Sequence, residues 1–291
     1  MGMSQPSPPF RMGAHCTESH CLAVFGKGEA LKDPSVRAAE RVIEYMQENL
    51  ADQLTVDDMA KTALFSKFHF TRIFQRATGV SPGRFLSALR LQQAKRLLRS
   101  TSLSVADVSL RVGYSSVGTF SSRFTRSVGL SPTTFRRLGG FTTHVPIADG
   151  HAVADRPGGT VRGRITGAPG MPANRVFVGM FPQRIPEGRP VQCRILDTPG
   201  QFTLDPVPVG AWHLLAHSVG PDEEKVPAAD ATWVGSIGPL LITRHRSLEV
   251  DLSLQPMRIV DPPVLLALLD ARQSALRRER ARRRTIGARH G

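Results

Sequence analysis

Apolar residues recur at helical spacing through the first half of the chain and at strand spacing through much of the second. Ala39, Val42, Ile43, Met46 and Leu50 lie three, four or seven apart, marking one face of an amphipathic helix. Asp33 and Pro34 stand ready to start it, as N-cap and first helical residue. Capping boxes open two further helices, Thr55 to Asp58 and Ser104 to Asp107, with Asp at the place Glu usually fills. Each is followed by a second helix. Ser66 is the candidate N-cap in one case and Ser115 or Ser116 in the other, and Gly79 or Gly129 supplies the left-handed residue that ends it. Between these pairs runs RFLSALRLQQAKRLLR, with Ser81 and Pro82 as its start signal. Phe85, Leu86, Leu89 and Leu97 occupy one arc of its wheel, and Leu91, Ala94 and Leu98 nearly the opposite one. A helix apolar on two sides must be covered on both. The pattern predicts a connecting helix of about 24 Å, at ~1.5 Å per residue, wedged between two modules.

The modules are copies of one another. Shifting residues 70–85 by fifty places pairs Phe70 with Phe120, Phe74 with Phe124, Arg76 with Arg126, Gly79 with Gly129, Ser81 with Ser131, Pro82 with Pro132 and Phe85 with Phe135, seven identities in sixteen positions. Two copies are too few for a solenoid, which needs roughly three or more repeats. A pair of small modules sharing a core is the expected arrangement.

The pattern changes after Leu138. Gly139, Gly140, Pro146, Gly150, Pro157, Gly158 and Gly159 read as a linker. Short alternating runs follow, among them TVRGRITG, NRVFVGMFP, GQFTLDPVPVGAWHLLAHSV and SLEVDLSL, which predict an all-β sandwich. Beyond them, Pro262 and Pro263 are placed to start a helix whose apolar surface is Val264, Leu265, Leu268, Leu269, Ala271 and Leu276. The expected fold class is multidomain, α then β. A disordered leader (1–35) precedes an all-α double helix-turn-helix domain (36–140). A linker (141–158) leads to a small all-β sandwich (159–256), and a C-terminal helix with an Arg-rich tail (257–291) closes the chain.

Charge follows this division. Of the formal +14, residues 36–140 carry +9, from 16 Lys and Arg against 7 Asp and Glu, and residues 261–291 carry +5. The leader and the β region are each neutral. A basic block of this kind attracts polyanions or an anionic surface. For the tail, phosphate contact, lipid contact and a solvated end are the open readings. Three cysteines, Cys16, Cys21 and Cys193, are too few for a disulfide framework, which points to a reducing, cytoplasmic compartment. VLLALL falls far short of the roughly 18 apolar residues of a spanning helix, so no membrane partner is expected.

Little in the sequence points to catalysis. His15, Cys16, His20 and Cys21 match none of the usual paired-Cys zinc spacings. His213, Leu215 and His217 share a strand face, but no third ligand can be placed beside the two histidines, which read as structural or solvent-facing. There is no Gly-rich phosphate loop, G-x-S-x-G or zincin motif. No catalytic residue, metal or cofactor is expected.

On the second helix of the first module, Phe70, Ile73, Phe74 and Ala77 face inward, leaving Phe68, Thr71, Arg72 and Gln75 as an outward stripe flanked by Lys67 and Arg76. Such a helix fits the major groove, where Arg can bond guanine bidentately and apolar groups meet the thymine methyl. In the second module the stripe is Gly118, Ser121, Ser122 and Thr125, short groups beside Arg123 and Arg126, which are placed to grip phosphates.

SKFHFTRIFQRATGVSP and GYSSVGTFSSRFTRSVGLSPTTFRR, with the long helix between them, resemble the AraC/XylS family of bacterial transcription regulators over residues 36–138. The resemblance implies a sequence-specific regulator that sets its two recognition helices into successive major grooves of double-stranded DNA. It implies base contacts from Phe68, Thr71 and Arg72 and from Gly118, Thr119, Ser121 and Ser122. Many members carry Arg where this chain has Ser122, and an effector domain more commonly precedes the DNA-binding part. RNA polymerase is a candidate partner, and a small molecule or protein is a candidate effector of the β region. DTPGQFTL with VPVGAWHLLAH resembles the transthyretin-like, carboxypeptidase-regulatory sandwich. A second functional reading is a DNA-repair alkyl-transfer protein carrying the same DNA-binding module. The chain lacks the Pro-Cys-His-Arg context and multi-cysteine zinc site that class uses, and Cys193 sits in VQCRIL.

Overall fold

The computed structural model describes residues 33–142, 158–171, 175–219 and 233–269. The HCTESHC segment and the Arg-rich tail lie outside the described residues.

Seven helices come first: α1 (Pro34–Glu48), α2 (Val56–Thr62), α3 (Lys67–Thr78), α4 (Pro82–Ser100), α5 (Val105–Arg111), α6 (Val117–Val128) and α7 (Pro132–Arg137). Their ends follow the local chemistry. Asp33 accepts from the Ser35 N–H, and both capping boxes close, with Asp58 and Asp107 each answering the N-cap backbone. The Ser66 and Ser81 side chains make no cap bond, whereas Ser116 accepts from the Thr119 N–H. Gly79 (φ 78°) and Gly129 (φ 89°) take the left-handed conformation that ends α3 and α6.

The duplication reappears as two buried aromatic trios. Phe70 and Phe74 are tilted with ring centroids 5.4 Å apart and Phe74 meets Phe85 edge-on at 5.6 Å, while Phe120 and Phe124 are tilted at 5.6 Å and Phe124 meets Phe135 edge-on at 5.5 Å. In each copy an i, i+4 pair on the second helix meets a Phe near the start of the next. One hydrophobic core holds both trios, and α4 contributes Phe85, Leu86 and Leu89 as well as Leu91, Ala94 and Leu98 to it.

The β region is β2 (Gly158–Gly167), β3 (Arg175–Phe181), β4 (Gln192–Leu196), β5 (Gln201–Pro208), β6 (Gly210–Val219), β7 (Trp233–Ile242), β8 (Ser247–Glu249) and β9 (Leu252–Pro256). These form one eight-stranded sheet in the order β4-β3-β6-β7-β9-β2-β5, with β8 also on β2. The expected two-sheet sandwich is therefore corrected to a single sheet curled nearly closed. The cause is local: the terminal strands β4 and β5 are joined by a short turn, so the two ends of the sheet must lie side by side. The Gln192 amide donates across that seam to the Asp205 carbonyl at 3.0 Å. Val161, Ile165, Val176, Val178, Met180, Phe202, Leu204 and Leu214 fill the interior.

The predicted C-terminal helix does not form over residues 257–269. The segment makes a turn at 259–260 and then runs without helix, and its end, β10 (Leu268–Leu269), pairs in parallel with β1 (Phe141–Thr142). The apolar residues have somewhere else to go. Val260, Leu265 and Ala267 enter the helical core, while Leu266 joins Phe177, Phe181 and Leu215 on the outer face of the sheet. This strap, with the β3–β4 loop, joins the two regions.

Candidate nucleic-acid interface

The helix-turn-helix packing determines which side chains of α3 and α6 face outward. With Phe70, Ile73 and Phe74 buried, α3 presents Lys67, Phe68, Arg72, Gln75 and Arg76 to solvent and Thr71 half-buried. Phe68 is 87% exposed, an unusual place for a phenyl ring unless something covers it. The Thr71 hydroxyl donates to the Lys67 carbonyl at 2.8 Å, so its oxygen keeps its acceptor capacity. Lys67 lies 2.9 Å from Asp57, but both groups are more than half exposed, so the pair is worth about 0–1 kcal/mol and is easily exchanged for a phosphate. Arg72 and Arg76 form no salt bridge among the described residues.

The second helix differs. Gly118, Thr119, Ser122, Thr125 and Arg126 are exposed and Ser121 half-buried. Arg123, expected to grip phosphate, is instead turned inward at the position equivalent to Ile73. Its Nε donates to Ser87 Oγ on α4 at 3.3 Å, and its Nη2 lies 3.5 Å from Glu187 of the β3–β4 loop. The fifty-residue shift sets Arg123 on Ile73, but its ion-pair partner lies 64 positions further along the chain.

Sequence reasoning passed over two further residues. Leu64 is 86% exposed at φ 61° in the turn leading to α3, four positions before Phe68, so the first module carries two outward apolar groups. Glu187 had no local signal beyond its Pro-Glu-Gly turn.

A helix-turn-helix domain family model matches residues 59–138. Over 95 residues the chain is 30% identical to the HTH-type transcriptional activator AarP of Providencia stuartii, spanning 33% of this chain and 70% of that protein. The chain belongs to the AraC family. The AraC-type match to the HTH-type transcriptional activator RhaS of Escherichia coli is 33% identical over 119 residues, spanning 40% of this chain and 43% of RhaS, so well under two thirds of that relative is represented. Among solved structures, the DNA-binding domain of AdpA in complex with a target DNA aligns at 33% identity, covering 36% of this chain and 92% of that one with a TM-score of 0.34. As an AraC-family member the chain is a sequence-specific DNA-binding transcription regulator, not an enzyme. These matches lie in the helical region. The β region's suggested transthyretin-like character gains no support from them or from the single curled sheet.

Cys193 fits this assignment. Burial in β4 pushes its thiol up to about 11, so the nucleophilic thiolate needed for alkyl transfer is scarce at neutral pH. Among the described residues no three His, Cys, Asp or Glu side chains gather as metal ligands, and no helix is long and apolar enough to cross a membrane.

His217 of β6 faces the helical region, beside Lys95 of α4. His217 is buried against Phe177, ring centroids 5.1 Å apart, and burial, with Lys95 adding to it, pushes its pKa down to about 4. Below its ordinary value of 6.5 the unfolded chain takes up a proton that the folded chain refuses. Stability is therefore complete above about pH 6.5 and falls as the pH drops towards 4, by roughly 3 kcal/mol at about 1.4 kcal/mol per pH unit. Urea midpoints measured between pH 7 and 4.5 should fall more steeply for the wild type than for His217→Gln. Parallel profiles would mean that His217 does not carry the effect.

Proposed function

We propose that α3 and α6 enter adjacent major-groove segments on one side of double-stranded DNA, with α3 specifying sequence and α6 positioning the protein and sensing groove shape. The contrast between the two exposed stripes carries this reading. Phe68, Thr71, Arg72 and Gln75 have the reach to meet base edges, whereas Gly118, Thr119, Ser121 and Ser122 bring backbone close to DNA with little bidentate capacity. Lys67, Arg76 and Arg126 supply phosphate contacts. Arg123 serves them only indirectly, since its guanidinium is turned to Ser87 and Glu187.

The β region modulates this binding through the strap and the β3–β4 loop, and it is where a small-molecule or protein effector acts. Relatives such as AarP and RhaS are named transcriptional activators, which supports an activating role with RNA polymerase as partner.

Selection of bound fragments from random DNA with the full chain tests the reading. Arg72→Ala should cost about 1–3 kcal/mol at the selected site and relax preference at one base pair. Arg126→Ala should weaken selected and random DNA alike. Equally sharp base preference in both half-sites, or loss of affinity in Arg72→Ala with unchanged preference, would overturn the division of labour.

A further inference from the structure

The two modules differ where the β region touches them. In the first, α3 ends on the Gly79 N–H, which donates to the Gln75 carbonyl, with the Thr78 hydroxyl 2.9 Å from the Phe74 carbonyl and 3.0 Å from the Val80 carbonyl. The second module has Val128 at the equivalent position and so lacks that hydroxyl. A helix leaves its last four carbonyls without intrahelical partners. For α6, the Ser127 carbonyl accepts the Gly188 N–H at 2.7 Å and the Val128 carbonyl accepts the Ala267 N–H at 3.1 Å. The β3–β4 loop and the strap thus satisfy two terminal carbonyls of α6 beyond the bond its own Gly129 cap makes to the Thr125 carbonyl.

The inward face of α6 shows the same dependence. Arg123 replaces the Ile73 of the first copy, and its charge is met by a carboxylate from the same loop. Glu187 is only 13% exposed at its side chain and reaches two helices, with Oε1 2.6 Å from Arg84 Nη2 on α4 and Oε2 3.5 Å from Arg123 Nη2 on α6. Three positions earlier, the Arg184 side chain lies against Gly79 at the end of α3, where it would meet any added Cβ. Ile185, between them, is buried in the helical core. One loop therefore touches the C-terminal ends of both recognition helices.

We infer that Glu187 is a positioning residue for DNA binding, through which the β3–β4 loop holds α6 at a fixed angle and spacing to α3. The inference rests on the two-groove reading above. Its mechanism is electrostatic and geometric. Two arginines from different helices share one largely buried carboxylate, and removing it leaves Arg123 charged in a half-buried site, free to turn outward and take α6 with it. The β region then acts as a ruler between the two reading heads, and a ligand or partner that moves the loop would change spacing without touching DNA.

Hydroxyl-radical footprinting of the full chain on a fragment selected from random DNA tests this. Wild type should protect two backbone tracts about one helical turn, ~34 Å, apart. Glu187→Ala should keep the first tract within about twofold while protection of the second drops at least fivefold at the same protein concentration. E187L combined with R123I, which gives α6 the apolar residue of the first copy and an apolar partner, should restore the second tract. If Glu187→Ala does not fold by circular dichroism, Glu187→Gln, which keeps an acceptor for Arg84, is read in the same way. Both tracts fading together, or neither changing, would overturn the inference. Failure of the wild type to give two tracts would overturn the two-groove reading itself.

Discussion

Leu265→Asp is expected to collapse the cooperative unfolding of the whole chain, not just that of its C-terminal end. Leu265 is fully buried in the strap, with Val260 and Ala267 in the same helical core as Phe74, Phe85 and Phe124. Its neighbour Leu266 packs on Phe177 and Phe181 of the sheet, and the Lys95 ammonium donates to the carbonyls of Val264 at 3.1 Å and Leu266 at 3.0 Å. A buried Leu→Ala change costs about 2–5 kcal/mol, and an aspartate there adds an unpaired charge. Against a total stability of about 5–15 kcal/mol for a domain, that loss is decisive. Urea unfolding followed by tryptophan emission reports the sheet, through Trp212 and Trp233, and far-ultraviolet ellipticity at 222 nm reports mainly the helices. The two curves should coincide in wild type and separate, with the helical transition falling, in Leu265→Ala. Leu241→Asp, on an exposed part of β7, should change neither by more than about 0.5 kcal/mol. A helical transition unmoved by Leu265→Asp would mean that the strap is not part of that core.

The strap also shows where local reading stops. The helices of the first half were legible because their signals are short-range: a capping box spans four residues, a glycine end cap one, and the repeat confirmed each module by the other. Strand existence was legible for the same reason, but strand partners were not. Nothing within TVRGRITG says that it lies between β9 and β5, and the sandwich expectation failed on that pairing. Residues 264–269 have a helix former's composition, yet two apolar surfaces to be covered, one on either side, outweigh it. One clue to the contact was present and unread. β3, RVFVGMF, is apolar at nearly every position, and a strand buried on both faces must be covered on its second face. Val176, Val178 and Met180 point into the curled sheet, while Phe177 and Phe181 point at the strap. In the interface, the outward stripe of α3 follows from its burial periodicity, whereas the fate of Arg123 depended on a carboxylate 64 positions away.

Phe74→Ala and Phe124→Ala should each destabilise the helical region by about 3–5 kcal/mol, because each removes the middle ring of a trio that is fully buried. Phe74 lies between Phe70 at 5.4 Å and Phe85 at 5.6 Å, and Phe124 between Phe120 at 5.6 Å and Phe135 at 5.5 Å. Such aromatic contacts contribute about 0.5–1.5 kcal/mol beyond the area they bury. Phe→Leu at the same sites keeps most of the volume and loses the edge contacts, so it leaves a folded chain in which the recognition helix is less firmly held. Equal thermodynamic losses from the two copies should then give unequal losses on DNA. α3 has its trio, Thr78 and a side-chain contact from Arg184 at Gly79, whereas α6 has its trio, two backbone hydrogen bonds from Gly188 and Ala267 and the Arg123–Glu187 contact. Phe74→Leu should therefore weaken the first protected tract more than Phe124→Leu weakens the second, although denaturant midpoints shift alike. Matched losses in both tracts would mean that the β region adds nothing to the hold on α6, and that the two copies are positioned by their aromatic trios alone.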